Sequence, residues 1–293
     1  MKIKETKIIL KNLNIEPVSF KKHKKELKEK GYTIIKNNQF LKKNVKKINT
    51  IIYDLISKEK TKAGWDGWEE LYKKNKSFEK GAYRLGGLVY KHEIFRKFLL
   101  IPKILSLAYD TIKDDIKICS LNFRAPKKNS KDQEIHVDGL PRRKNKGYNG
   151  ILVMFYLNDS NLNTGATRII PYTHKKIGWP HNYLNVRKKH PKEKKLFVKA
   201  GEIVVLNLNL WHAGSKNISG KKRGTIFMII QGRNSLQLLN YKKYIPKKII
   251  SKISYEEKYL LAVRNIDKDQ VVTRGVNIAQ LRKDENPKLI YRF

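Results

Sequence analysis

A chain of 293 residues can bury one large core with helical additions, or at most two small domains. Its single cysteine, Cys119, excludes an internal disulfide and any cysteine-built metal site, and fits a reducing compartment. A formal net charge of +39 raises nucleic acid or an anionic surface as partner, but lysine far outnumbers arginine and isoleucine and asparagine abound, the mixture an A+T-biased genome encodes whatever the function.

Residues 1–15 are short and mixed and read as an edge strand. Phe20 to Lys30 is rich in lysine and glutamate, favours helix, and is closed by Gly31 as C-cap. Tyr32–Ile35 reads as a strand entering the core sheet. Phe40 to Lys58 carries Val45, Ile48, Ile51, Ile52 and Leu55 at helical spacing and is expected to pack outside the sheet. Ala63–Trp68 brackets two tryptophans with glycines; it is either a loop lining a substrate entrance or an aromatic plug beneath a barrel. Ile94 to Tyr109 is a second amphipathic stretch, broken so that Pro102 sits in the first turn of its second part. No segment reaches about eighteen apolar residues and the N-terminus shows no signal-peptide pattern, so a soluble cytoplasmic protein is the expectation.

Lys117–Arg124 alternates, with Ile118, Ser120, Asn122 and Arg124 on one face and Cys119, Leu121 and Phe123 on the other. That polar face either lines a cavity, where Asn122 and Arg124 would meet ligand, or faces solvent from an edge strand. Strand patterns recur at Ile151–Leu157, Gly201–Leu208 and Thr225–Ile230. Tyr172 to Leu196 is a long basic insertion with Trp179, His181, Arg187 and His190, and reads as a lid, since loops of such length are often functional. Beyond Gly232 the chain is helical and charged as far as Arg264, and Val271 to Phe293 mixes strand-like and turn residues.

The chemistry centres on four residues. His136 and Asp138, at i and i+2, share one strand face just before the turn signals Gly139 and Pro141. His212 follows an apolar strand and precedes the turn Ala213–Ser215. Two imidazoles and one carboxylate make the facial triad of a non-haem Fe(II) site, whose opposite face stays open. Arg223 starts the next strand, where its planar fork can clamp a carboxylate, with the Thr225 hydroxyl on the same face. Iron plus such a clamp points to 2-oxoglutarate as co-substrate and O2 as oxidant. An H-x-D pair alone is most often a surface histidine beside a solvated carboxylate, and Arg223 alone is a strand-edge cation; their common placement at strand edges carries the reading. The triad is complete without His174, His181 and His190, which read as surface or loop histidines, His174 with a place in shaping the pocket.

His136-Val-Asp138, Asn163–Pro171 with His174, Trp211–Asn217 and Arg223-Gly-Thr225 together resemble the phytanoyl-CoA dioxygenase family of Fe(II)/2-oxoglutarate oxygenases. Asn163 to His174 follows the family's N-G-[AP]-[ST]-x-x-x-P-x-[ST]-H segment, except that Thr164 separates Asn163 from Gly165, and His212 with Asn217 matches its H-x-x-x-x-N stretch. The resemblance spans residues 115–235, with weaker agreement before it. It implies a mainly β fold with α additions, a double-stranded β-helix (jelly-roll, cupin-like) core flanked by helices. One domain over 1–293 would divide into an N-terminal helical elaboration with edge strands (1–114), a catalytic core (115–235) and a C-terminal helical extension (236–293). His136, Asp138 and His212 would hold iron, Arg223, Thr225 and Asn122 would contact 2-oxoglutarate, and Arg124, Trp179 and Trp211 are candidate substrate contacts.

Asp138 stands where the family's halogenases carry a small residue, which favours hydroxylation of a C–H bond with release of succinate and CO2. Alkylation-reversal dioxygenases carry a second arginine six residues after the first; Ile229 stands there in this chain. The expected substrate is a small metabolite, an anionic one suiting Arg124, Arg142, Arg143 and Arg187. The alternatives are a dioxygenase acting on nucleic acid, with Trp65, Trp68 or Trp179 against a flipped base, one acting on protein side chains, or a non-catalytic jelly-roll binding protein. The sequence leaves the oligomeric state open.

Overall fold

The structure, a computed structural model, describes residues 4–15, 20–63, 81–144, 147–235, 237 and 240–266. The expectations for Trp65, Trp68 and for Val271 to Phe293 lie outside the described residues. Among the described residues nine strands form: β1 (Tyr32–Ile35), β2 (Ala82–Leu85), β3 (Ile116–Pro126), β4 (Gly150–Tyr156), β5 (Thr167–Ile169), β6 (Lys194–Leu196), β7 (Ile203–Asn207), β8 (His212–Gly214) and β9 (Thr225–Gly232). Antiparallel pairing builds a six-stranded sheet in the order β1-β7-β4-β9-β3-β2 and a three-stranded sheet β6-β5-β8.

Why the central strands read as unbroken apolar runs is plain from their surroundings. All of β4 and β7 is buried. Leu152, Met154, Tyr156, Val204 and Leu206 point into a cluster shared with Ile169 and Leu196 of the smaller sheet. Ile151, Val153, Phe155, Ile203 and Val205 point the other way, into a cluster with helix residues Leu41, Ile48, Ile52, Leu105 and Leu260. Two sheets over one core, with helices outside the larger sheet, make the jelly roll with helical additions that the resemblance implies. Both outer strands of the large sheet, β1 and β2, come from the N-terminal part of the chain, ahead of residue 115.

The main helices are Glu5–Asn12, Lys21–Lys30, Gln39–Glu59, Pro102–Ile112 and Tyr255–Leu261. Gly31 ends the second in the left-handed region at φ +85°, its N–H donating to the Leu27 carbonyl. The Asn38 side chain caps the third by accepting from the Leu41 N–H. Two expectations fail. Residues 5–12 form a helix rather than an edge strand: Thr6, Ile9 and Leu10, spaced for one helical face, are its buried side chains. In β3 the pairing with β9 slips between Ile118 and Ser120. That bulge turns Cys119 toward the inter-sheet core and leaves Ile118 on the helix side with Leu121 and Phe123, so Ile118 does not share the polar face. Among the described residues no helix is long and apolar enough to cross a membrane.

Candidate active site

His136 and His212 face each other across an isolated antiparallel bridge, each N–H donating to the other's carbonyl at 2.9 and 3.0 Å. Directly opposed residues project to one side, and the two imidazole centroids lie 4.6 Å apart. Asp138, two residues on, returns to that side, its carboxylate oxygens 3.5 Å from Nε2 of His136 and 3.4 Å from Nε2 of His212. Each imidazole is oriented from behind. Nδ1 of His136 lies 2.7 Å from the Glu134 carbonyl, and Nδ1 of His212 lies 2.9 Å from the Leu210 carbonyl. A carbonyl only accepts, so Nδ1 of each ring carries a proton; with no metal bound, Nε2 bonds Asp138 through a second proton, and loss of that proton would free the Nε2 lone pair for a metal.

Burial acts to raise the Asp138 carboxyl, but the charge of His212 and hydrogen bonds from both imidazoles outweigh it and hold the group well below the usual carboxylate range. Burial likewise acts to lower His212, and Asp138 overrides it, so the imidazole is raised. One donor atom from each of the three residues lies within 4.8 Å of the others. Donors so placed can share one divalent ion at about 2 Å from each. Two neutral imidazoles and a carboxylate suit Fe(II) among transition metals. The His136 and Asp138 side chains each keep 19% of their surface exposed and His212 keeps 7%, so the set is approached from one side.

Among the described residues Arg223 is the largest fully buried side chain, 1% exposed. Its guanidinium donates to the Thr225 hydroxyl at 3.3 Å, Nε has no hydrogen-bond partner, and no carboxylate pairs with it among the described residues. Burial pushes its pKa down to about 10, with nearby Tyr156 opposing and the Arg124 charge adding to the fall. Gly224 sits between Arg223 and Thr225 because a Cβ there would lie 2.7 Å from the Phe123 ring. Cross-strand register then sets one row on the inner face of the large sheet: Arg84 opposite Arg124, Arg124 opposite Thr225, Thr225 opposite Tyr156. Tyr156, fully buried, bonds through its hydroxyl to Thr167 of the small sheet at 2.8 Å. Thr167 in turn pairs with Gly214, two residues after His212. Ser120 and Asn122 lie on the same inner face, so the polar side of β3 lines the space between the sheets; the Asn122 side-chain oxygen accepts from the Gly87 N–H at 3.0 Å.

The two tryptophans lie elsewhere. Val137 and Trp211 alternate with the ligand residues and so point away from them, into a cluster with Ile135, Ile170 and Ala213, against which Trp179, Leu184 and Val186 pack. The long insertion is thus docked on the back of the ligand strands, fastened by the Ile135 N–H to the Val186 carbonyl (2.9 Å), Arg187 to Glu134 (2.8 Å) and Arg168 to Glu193 (3.0 Å). Arg142 donates to the Lys175 carbonyl and stacks on Tyr148. His174 is buried, with Nε2 3.0 Å from the Lys28 carbonyl and Nδ1 unpartnered. Asn217 staples the loop between His212 and Arg223: its side chain donates to the Pro126 and Lys221 carbonyls and accepts from the Gly220 N–H. Sequence reasoning missed Arg84, Tyr156 and Thr167, which only cross-strand register brings to the site.

Comparison with known proteins agrees with this fold. SnoK, a non-heme alpha-ketoglutarate-dependent carbocyclase from nogalamycin biosynthesis, superposes with a TM-score of 0.56 at 16% identity, over 80% of this chain and 90% of its own. EctD from S. alaskensis with bound Fe gives 0.57 at 14%, over 77% and 81%. HygX from Streptomyces hygroscopicus, with nickel and 2-oxoglutarate bound, gives 0.55 at 13%, over 74% and 88%. At these identities the likeness speaks to the fold. Two uncharacterized proteins, Rv1501 of Mycobacterium tuberculosis and Mb1539 of Mycobacterium bovis, are each 31% identical over 140 residues, 44% of this chain and 48% of theirs. The chain therefore spans about half the length of these curated relatives. The family model described as Phytanoyl-CoA dioxygenase (PhyH) matches residues 27–225, a stretch that takes in His136, Asp138, His212 and Arg223. That match covers well over half of the sequence, and the chain belongs to the phytanoyl-CoA dioxygenase family of oxygenases.

Proposed function

We propose that the protein is an Fe(II)- and 2-oxoglutarate-dependent dioxygenase that hydroxylates a C–H bond of a small molecule. One observation carries the reading. A fully buried arginine with no carboxylate partner among the described residues lines the same inter-sheet space as a complete His–Asp–His donor set. A buried, uncompensated guanidinium costs several kcal/mol, and a carboxylate ligand is the natural offset. The orphaned Nε and the long bond to Thr225 leave donors for it.

His136 and His212 would bind iron through Nε2 and Asp138 through a carboxylate oxygen. Arg223 would take the distal carboxylate of 2-oxoglutarate, with the Thr225 and Tyr156 hydroxyls beside it. When bound, iron with 2-oxoglutarate and O2 supplies oxidation of a substrate C–H bond, with succinate and CO2 as co-products. The chain's own part is orientation and exclusion of water. The Glu134 and Leu210 carbonyls fix the imidazole tautomers, Asp138 keeps its ligand position filled, and Tyr156 with Thr167 ties the two sheets together beside the arginine. HygX has also been crystallised with nickel, 2-oxoglutarate and hygromycin B, which supports a small molecule as substrate class. The lone buried Cys119, its thiol pushed up to about 12 by burial, supports a reducing, cytoplasmic setting.

Anaerobic titration of apoprotein with Fe(II) and then 2-oxoglutarate tests the reading. The expected result is a metal-to-ligand charge-transfer band in the visible that is lost in His212→Ala and displaced to higher 2-oxoglutarate concentration in Arg223→Met. A folded wild-type protein that forms no band would refute it.

A further inference from the structure

Pro171, Thr173 and His174 open the long basic insertion and take no part in the chemistry above. The backbone around them connects that insertion to the metal site. β5 ends at Ile169, and Ile170 still donates its N–H to the Trp211 carbonyl at 2.9 Å. Pro171 has no N–H with which to continue the ladder, and the chain turns away. The N–H of Trp211, one residue before the ligand His212, is left without a strand partner. The Thr173 hydroxyl takes that place. It accepts from the Trp211 N–H at 3.1 Å and donates to the Ile170 carbonyl at 2.7 Å. The turn is moored to the helix Lys21–Lys30, by the Tyr172 N–H on the Lys30 carbonyl (2.9 Å) and by His174 Nε2 on the Lys28 carbonyl (3.0 Å).

The peptide group held by Thr173 is the one that orients His212. The Trp211 N–H and the Leu210 carbonyl belong to one planar unit, and that carbonyl accepts from His212 Nδ1 at 2.9 Å. A hydroxyl that fixes the N–H side therefore fixes the direction of the C=O side and polarises it toward the imidazole. His136 is held by the same device. Its Nδ1 donates to the Glu134 carbonyl at 2.7 Å, and the N–H of that peptide group, from Ile135, donates to the Val186 carbonyl at 2.9 Å. Val186 stands in a turn of the insertion where the Asn185 side chain accepts from the Arg187 N–H at 3.0 Å. Both imidazoles are thus oriented through a peptide group whose N–H is bonded to the insertion. Thr173 and Trp211 are both buried, so water does not compete for their bond.

We propose that Thr173 is a positioning residue for the metal: through the Leu210–Trp211 peptide it sets the direction in which His212 presents Nε2, as the Val186 carbonyl does for His136. The inference rests on the iron reading and ties the start of the insertion to the metal centre rather than to a lid.

The test uses the full chain loaded with Co(II) in place of iron. Wild type should show two downfield-shifted N–H proton resonances, one from each imidazole Nδ1, and its Co(II) affinity is read by competition with a chromophoric chelator. Thr173→Val deletes the hydroxyl at nearly constant volume. It should displace one of the two resonances, leave the other in place, and raise the Co(II) dissociation constant by about tenfold, the lower end for loss of an outer-shell partner because Thr173 acts one bond further out. Thr173→Ser keeps the hydroxyl and should restore both readouts. If the valine variant does not fold, Thr173→Ala makes the same deletion in a smaller volume, with the same result expected. Unchanged resonances and affinity in a folded deletion variant overturn the assignment. So do a displacement of both resonances together, which is general loosening, and a serine variant as weak as the deletion. These outcomes leave the iron reading standing. Wild-type protein that binds no Co(II), or binds it equally well after His212→Ala, refutes the iron reading itself and the role of Thr173 with it.

Discussion

Replacing Arg223 by methionine should produce two effects of opposite sign. The side chain is 1% exposed, its Nε is unpaired, and its one described bond runs to the neutral Thr225 hydroxyl at 3.3 Å. In the absence of ligand the folded chain therefore carries an uncompensated buried charge, and its pKa, driven down to about 10 by burial, reflects that cost. An apolar side chain of similar length removes the charge at little loss of packing, so the apoprotein should be as stable as wild type or more stable, by up to about 4 kcal/mol. With 2-oxoglutarate the balance reverses. The variant loses a charge-assisted contact worth roughly 1.5–3 kcal/mol, equivalent to about 10- to 150-fold in dissociation constant. Anaerobic thermal denaturation of metal-loaded protein, with and without 2-oxoglutarate, reads both at once. Apo Tm should hold or rise while the ligand-induced rise in Tm shrinks, and the charge-transfer midpoint should move in step. An apoprotein weakened by about 2 kcal/mol or more, with 2-oxoglutarate affinity unchanged, would mean that Arg223 is a structural side chain and that the anion pocket lies elsewhere.

Three further outcomes follow from the same geometry. His212→Ala should abolish metal-dependent 2-oxoglutarate turnover and lower bound iron by elemental analysis while circular dichroism stays native; retained turnover would remove the triad. Gly224→Ala places a Cβ 2.7 Å from the Phe123 ring and 3.2 Å from the Asn158 side-chain oxygen, so it should cost about 1–3 kcal/mol in urea denaturation and weaken 2-oxoglutarate binding as well, because Arg223 and Thr225 flank it. Indifference of both readouts would show that the strand start yields freely. His174, lowered to about 4 chiefly by burial, stays neutral in the fold but takes up a proton below its ordinary value of 6.5 when unfolded. Its contribution is thus complete above pH 6.5 and lost as pH falls toward 4, by about 3 kcal/mol. His174→Gln, which keeps a donor for the Lys28 carbonyl, should flatten that part of the stability–pH curve, and curves that run parallel to wild type would contradict the assignment.

What could be read from the chain was whatever a short-range pattern encodes. The i, i+2 spacing of His136 and Asp138 at a strand end, the turn after His212 and the Arg223-Gly-Thr225 strand start are local signals, and the structure groups His136, Asp138 and His212 and buries Arg223. The bulge at Cys119 was not legible, because one inserted residue leaves every neighbouring identity unchanged and merely swaps the faces on either side of it. Neither was the helix Glu5–Asn12, two turns long, whose apolar positions fit a short strand almost as well. Tyr156 was hidden at the end of an apolar run, and Arg84 in a four-residue strand, since only long-range register shows that both stand level with Thr225. Trp179 and Trp211 drew attention as large aromatics, yet alternation from His212 sends Trp211 to the opposite face.

The charge, the first property one notices, separates into two populations once burial is known. Lysine far outnumbers arginine along the chain. Among the described residues, however, the buried cations are Arg168, Arg223, Arg233 and Arg264, with Lys117 the one lysine. Lysines scattered over a solvated surface are interchangeable point charges, free to follow the base composition that encodes them. A guanidinium fixed in a low-dielectric interior is not, because its rigid planar fork holds two acceptors at set positions where an ammonium is a compact point charge on a flexible stem, as Arg168 does with Glu193 and the Gln133 carbonyl. By that criterion the +39 of the whole chain says little about what the protein binds, whereas one fully buried arginine with no carboxylate partner among the described residues says a good deal. Lysine in place of Arg223 would keep the charge and still be expected to lose most of the 2-oxoglutarate affinity. Substituting any exposed pair, such as Lys194 and Lys195, by arginine should leave that affinity untouched.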